Sequence, residues 1–357
     1  MALPRQISGY PTQIGPIESH TVQIAELNLD SRFYLSSNAK LSAVSALPFA
    51  YDGMAFAWNK TMLQALGYST EADADDLPVA FNTWEEIFAL SNTWSPNRPT
   101  YKGSPINIVF PMSVGEPWSG YSSVTAAGWS IFATGQATQP GFDDPAFLHG
   151  LEFIKAAHDA KISVEADGTT TPGLTAGWRW DPVLNAQSAP FGLVGTWMDI
   201  IGATTKGKYD LQISPMPTWQ GNRLRPFVKV KVFVVNKSSP YPSAAAELLR
   251  LLYTTSGMQA MVDNSTYVPS LRSGATIAPD YSAAPVTQQL GKAFLQGNPE
   301  PVMLTFPNNP GKSGIDVYTN IGLNLFYQDV WDGVKTPAQA QMEIVAAAEQ
   351  YILTNNQ

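Results

Sequence analysis

Apolar and small residues run almost unbroken from Ala46 to Trp58, interrupted by one carboxylate, Asp52, with Gly53 directly after it. A run of this kind predicts a buried strand, with a bend or a close backbone approach at the glycine. An acid inside it is costly unless something hydrogen-bonds to it. From Thr61 to Leu66 the spacing turns helical, and Gly67 supplies a C-cap. A second helix is predicted over 83–94, where Thr83 and Glu86 have the spacing of a capping box.

Further along, the pattern predicts a strand at 106–110, a loop around Glu116 and a helix of small residues over 121–134. Asp144-Pro145 is an N-cap followed by a proline at the first helical position, opening a helix over 145–160. The Gly/Thr-rich stretch 163–188 reads as loop that enters a helix around Asp181-Pro182. An apolar segment, 189–197, ends in Gly195-Thr196-Trp197, and alternation predicts a strand over 226–235. Helices follow at 243–253 and 255–263, and a final one has Thr336 as N-cap with Pro337 and Gln339 behind it. Residues 1–45 show no sustained period and read as loop with a short amphipathic piece near 20–27. Strands alternating with helices indicate an α/β chain.

The order of these segments resembles the extracellular solute-binding proteins of sugar ABC importers, the maltose/maltodextrin-binding-protein-like family. Its carriers are the strand Leu47–Lys60, the helix opening Thr83-Trp84-Glu85-Glu86, Glu116-Pro117-Trp118, Gly195-Thr196-Trp197, the stretch 213–252 and the closing helix. The resemblance implies a two-lobe α/β fold of the type II periplasmic-binding kind. The N-terminal lobe would be 1–50 plus 233–300 and the C-terminal lobe 54–226 plus 305–357, with hinge crossings near 50–54, 227–233 and 300–310. Members of that family begin with strand–helix units of roughly 60 residues that have no counterpart here. The N-terminal lobe is therefore expected to be incomplete at its start and to carry an unpaired strand edge.

Composition narrows the partners. Charged residues are only 14% of the 357, against about 25% in an ordinary soluble chain, which suits a protein that handles neutral polar ligands. The net charge of −8 and the absence of any Lys/Arg stripe argue against nucleic acid. With no cysteine, neither a disulfide framework nor a thiolate zinc site is available. Met1-Ala-Leu-Pro-Arg is not a basic region leading into an apolar one, so a signal or a lipoprotein anchor would belong to a longer form. Extracellular or periplasmic localisation follows from the resemblance. So does the role of a monomeric substrate-binding component, with a carbohydrate ligand, an ABC-transporter permease as partner and no cofactor.

The aromatics carry the candidate chemistry: 10 Trp, 14 Tyr and 16 Phe, several of them in loops among polar residues. Sugar rings present apolar C–H faces to aromatic planes and a rim of hydroxyls to carboxylates, amides and Arg. Trp197 reads either as a core residue or as a stacking platform, and its family position, lining a cleft, implies the latter. Asp52 matches the family's hinge-strand acid, and Glu116 with Trp118 matches its acidic–proline–aromatic element. Tyr121, Trp178 and Trp180 lie close to further aromatic positions, with loop packing as the alternative. Arg5 falls where the family has an arginine before the cleft. Asn320 stands where the family stacks a tryptophan, with Tyr318 two residues away, a departure at that subsite.

A different class is a glycoside hydrolase using Asp52 and Glu116, which would need the pair about 5–9.5 Å apart. A third is an interaction module that binds no sugar. Glu85 and Glu86, in a first helical turn, read as capping and dipole compensation. The three histidines form no metal set, and Gly311-Lys312-Ser313 lacks the first glycine of a phosphate loop.

Overall fold

A computed structural model of the chain describes residues 35–36, 44–94, 97–106, 108–111, 114, 117–129, 141–164, 170–172, 182–233, 239–271, 277, 279–296, 300–301 and 320–355. The strands are β1 (Leu35–Ser36), β2 (Val44–Asn59), β3 (Thr100–Tyr101), β4 (Ser104–Pro105), β5 (Lys161–Val164), β6 (Thr170–Pro172), β7 (Phe191–Gly195), β8 (Leu211–Ser214), β9 (Thr218–Trp219), β10 (Asn222–Arg223), β11 (Phe227–Phe233), β12 (Val268–Pro269) and β13 (Glu300–Pro301). The helices are α1 (Lys60–Ala65), α2 (Trp84–Trp94), α3 (Pro117–Val124), α4 (Pro145–Asp159), α5 (Ile200–Gly207), α6 (Pro242–Leu252), α7 (Thr255–Asn264), α8 (Pro285–Gln296), α9 (Leu323–Trp331) and α10 (Pro337–Asn355). The chain is α/β, and it divides into two compact units, 1–52 with 229–291 and 53–228 with 292–357.

In the first unit, the opening half of β2 pairs antiparallel with β1 and with β12, where Val268 faces Tyr51 and Pro269 faces Ala50. A small core joins Leu47 of β2, Leu249 of α6, Met258 of α7, Tyr253 between the two helices, and Ile277. Tyr253 donates its hydroxyl to the Leu47 carbonyl at 3.0 Å, which satisfies a polar group inside that core.

In the second unit, the closing half of β2 is flanked on both edges. It pairs antiparallel with β7 from Met54↔Gly195 to Trp58↔Phe191 and with β8 from Phe56↔Ser214 to Asn59↔Leu211. A strand paired on both edges and covered on both faces needs an apolar run rather than alternation, and Met54 to Trp58 are all buried. Asn59 ends the strand and caps α1, accepting from the Met62 amide at 2.9 Å. The surrounding core is aromatic: Phe56 stacks on Phe110 and Phe191, and Trp84 meets Phe56, Phe110 and Phe153 edge-on.

Local signals set the helix starts. Thr83 and Glu86 exchange hydrogen bonds ahead of α2, at 3.1 and 3.3 Å. Asp144 accepts from Ala146 at the head of α4, and Thr336 and Gln339 form a second capping box before α10. Four expectations differ from the structure. Of residues 106–110, 107 lies outside the described residues and the others form no ladder beyond a bridge at 110, although Ile106, Val109 and Phe110 are buried. Pro105 and Pro111 bracket the segment and bring no ladder donors. The helix expected over 121–134 is α3, which starts at Pro117 and ends at Val124, with turns after it and Gly128 at φ +81. No helix follows Asp181-Pro182: the Pro182 carbonyl takes the Ser188 and Ala189 amides and closes a turn. The stretch expected as loop contains the hairpin β5–β6. The predicted amphipathic piece near 20–27 lies outside the described residues.

Tyr209, buried after α5, donates its hydroxyl to the Leu184 carbonyl at 2.5 Å. Burial, with Tyr101 adding to it, raises its pKa well above the ordinary 10.0. Above pH 10 the unfolded chain loses this proton while the folded chain keeps it. The stability that Tyr209 contributes is thus full below about pH 10 and is lost as pH rises further. Tyr209→Phe is expected to cost about 1 kcal/mol at neutral pH, because the Leu184 carbonyl loses its donor. It should also flatten the fall of the urea midpoint as pH rises above about 10, and an unchanged slope would contradict the assignment.

Candidate functional site

Two places in the structure each hold one predicted residue in a defined setting, one in each unit. In the first unit Asp52 sits at the end of the β2 segment that pairs with β12, and it is only 3% exposed. Its buried carboxylate meets the Lys231 ammonium, Oδ2 to Nζ at 3.4 Å, and Lys231 stands on β11 with its side chain 41% exposed. The Lys231 nitrogen also lies 4.9 Å from the centroid of the Tyr267 ring, one residue before β12. Burial works against the lysine's charge, but a hydrogen bond to the Tyr267 hydroxyl and the Asp52 carboxylate outweigh it and raise its pKa above the usual 10.5. The ammonium therefore stays charged across the neutral range.

In the second unit the site is the corner where β7 turns into α5. The Thr196 amide donates to the Gly53 carbonyl at 3.1 Å, which ties the corner to β2. A tight turn follows: the Met198 amide donates to the Gly195 carbonyl at 3.0 Å and Met198 Sδ accepts from the Gly195 amide at 3.2 Å. Asp199 then caps α5, accepting from the Gly202 amide at 2.9 Å. This path turns Trp197 outward, 49% exposed, while Thr196 and Met198 on either side are buried. Its ring lies over Gly195, where a Cβ would come within 2.7 Å of ring atoms Cη2 and Cζ2. Only glycine leaves room for the ring in that position.

The other predicted residues fall elsewhere. Tyr121 is 1% exposed and packs against Trp129 in the core of the second unit, so its ring faces protein rather than solvent. Trp118 belongs to the first turn of α3, and Asn320 is exposed shortly before α9. Glu116, Trp178, Trp180, Tyr318, Arg5 and Gly311-Lys312-Ser313 lie outside the described residues. Glu86 serves the capping box of α2, and Glu85 accepts from the Gln220 amide at 2.7 Å. His149 lies against Trp219 and His158 meets Trp331 edge-on, so the two have different surroundings.

Sequence reasoning missed Lys231 and Tyr267. The signal for the first was present: a lysine within the alternating strand Phe227–Phe233, and an acid in an apolar run that needs a partner.

A profile of bacterial extracellular solute-binding proteins matches residues 7–288. The chain belongs to that family. No curated protein sequence matches it. Solute-binding proteins of this family are extracellular components of transport systems that bind a solute and work with a transporter permease, and as a rule they are not enzymes. Among the described residues, no helix is long and apolar enough to cross a membrane. Trp197 is 49% exposed and the Lys231 side chain 41%.

Proposed function

We propose that this solute-binding protein captures a neutral mono- or oligosaccharide outside the cell and delivers it, as a monomer and without a cofactor, to an ABC-transporter permease. The two compact units act as its lobes. The observation that carries the sugar reading is Trp197, a half-exposed indole held over a glycine at the end of a buried strand. A fixed aromatic plane open to solvent suits the C–H face of a sugar ring, and little conformational entropy is lost when the ring stacks. The low content of charged residues, 14%, fits an uncharged ligand.

The test is calorimetry with a panel of monosaccharides and maltooligosaccharides on the wild type and on Trp197→Ala. Loss of stacking and buried area should weaken binding roughly ten- to thirty-fold. Gly195→Ala, which displaces the ring without removing it, should weaken binding in the same direction. Equal affinity in a folded Trp197→Ala protein would remove the tryptophan from the site. A panel that binds nowhere would remove the sugar reading, and release of a shortened product would place the protein among the hydrolases.

A further inference from the structure

The carboxylate of Asp52 is buried, whereas the lysine that pairs with it is not: Asp52 is 3% and Lys231 41% exposed. An ammonium has three N–H donors. One side of the ammonium faces Asp52 Oδ2 at 3.4 Å and another the Tyr267 ring, whose centroid lies 4.9 Å from Nζ. The side chain is 41% exposed, which leaves a third donor room for an acceptor from solution. Three backbone segments fix the group: β2 carries Asp52, β11 carries Lys231, and Tyr267 directly precedes β12, whose Val268 faces Tyr51 of β2.

Building on the saccharide reading above, we propose that Lys231 is the member of this trio that touches the solute. It donates its third N–H to a sugar hydroxyl, while Asp52 acts as a positioning residue that orients the ammonium and cancels its charge. A lysine so paired offers a directional donor with almost no net field. It therefore favours an uncharged acceptor and gives an anionic sugar no advantage. Without the acid, the same lysine becomes an uncompensated cation and its preference turns toward anions.

The experiment compares wild type, Lys231→Met and Asp52→Asn, all as the full chain, in titrations with glucose against glucuronate and galactose against galacturonate. The wild type should favour the neutral member of a pair. Lys231→Met should weaken neutral-sugar binding by roughly ten- to a hundred-fold, the range for a lost hydrogen bond to a charged group. Asp52→Asn should move the neutral-to-uronate ratio toward the uronate by about tenfold at low salt, and the shift should shrink as salt screens it. If Lys231→Met does not fold, the double variant Lys231→Met/Asp52→Asn leaves no unpaired buried charge and should show the same loss. Wild-type affinity in the lysine variants would overturn the inference alone. Equal weakening of both members of each pair in Asp52→Asn would also overturn it, since a purely structural ion pair gives that result. A wild type that binds neither these four sugars nor any maltooligosaccharide removes the saccharide reading and this inference with it. If it binds only maltooligosaccharides, the same comparison is made with a neutral maltooligosaccharide against one carrying a uronate.

Discussion

Replacing Phe56 by alanine is expected to destabilise the second unit by about 3–5 kcal/mol, the cost of emptying a phenylalanine site that cannot collapse. Phe56 is fully buried at the middle of β2, where its backbone faces Leu193 on one edge and Ser214 on the other. Its ring lies 5.9 Å from Phe110, 5.6 Å from Phe191 and 6.3 Å from Trp84. Phe191 is on β7, Trp84 on α2 and Phe110 in the segment before Pro111, and β7 and β8 are held against β2 in the sheet, so little can move in to fill the space. Phe56→Leu, which keeps most of the volume, should cost far less, under about 1.5 kcal/mol. The measurement is denaturant unfolding followed by far-UV circular dichroism and by tryptophan fluorescence together, since two compact units need not unfold as one. A shifted midpoint with an unchanged slope is the expected form. A loss below about 1 kcal/mol would mean that the site relaxes and that the aromatic cluster is not rigid.

The same ring illustrates what could be read in the sequence. The run from Ala46 to Trp58 announced a buried strand because a strand covered on both faces has no polar alternation to hide it. Helix starts were legible for a different reason: a cap is a contact between residues two or three apart, so the whole interaction is written in one short stretch. Thr83 with Glu86, Asp144 with Ala146 and Thr336 with Gln339 all form as spaced. Apolar pattern alone reports burial and not pairing. Ile106, Val109 and Phe110 are buried as their composition demands, yet the described residues between Pro105 and Pro111 form only a bridge at 110 and no ladder. Asp181-Pro182 carries the same helix-opening dipeptide as Asp144-Pro145. There, however, the Pro182 carbonyl is taken by two amides from the far side of the turn.

The site was less legible than the fold because its contacts are distant in sequence. That Asp52 needed a partner followed from burying an acid, and the alternating strand 227–233 offered Lys229 and Lys231, but nothing local could choose between them. Trp197 was ambiguous for a sharper reason. Continuing the β7 register by one or two residues would leave the indole buried or exposed, depending on where the strand stops. The Met198-to-Gly195 hydrogen bond decides it, and that bond exists because the turn fits Gly195 under the ring.

Gly150→Ala should also destabilise the second unit strongly, for a reason opposite to Phe56→Ala. Gly150 faces the end of α3 from the middle of α4, and a Cβ there would lie 2.4 Å from the Val124 Cα, 2.5 Å from its carbonyl oxygen and 2.6 Å from its carbonyl carbon. These are backbone atoms, so no rotamer change relieves the overlap and the two helices must separate. Separation would loosen Phe147, Leu151 and Ile154, which α4 buries in the core around that contact. Overpacking costs about 1–3 kcal/mol, and more where backbone must shift. Alanine returns about 1 kcal/mol through its helix propensity. The net loss is expected to be on the order of 2 kcal/mol or more, read as a lower denaturant midpoint at constant slope. Propensity alone predicts the opposite sign, so a variant as stable as the wild type, or more so, would show that α3 and α4 can separate freely and that the close approach at Gly150 is not needed.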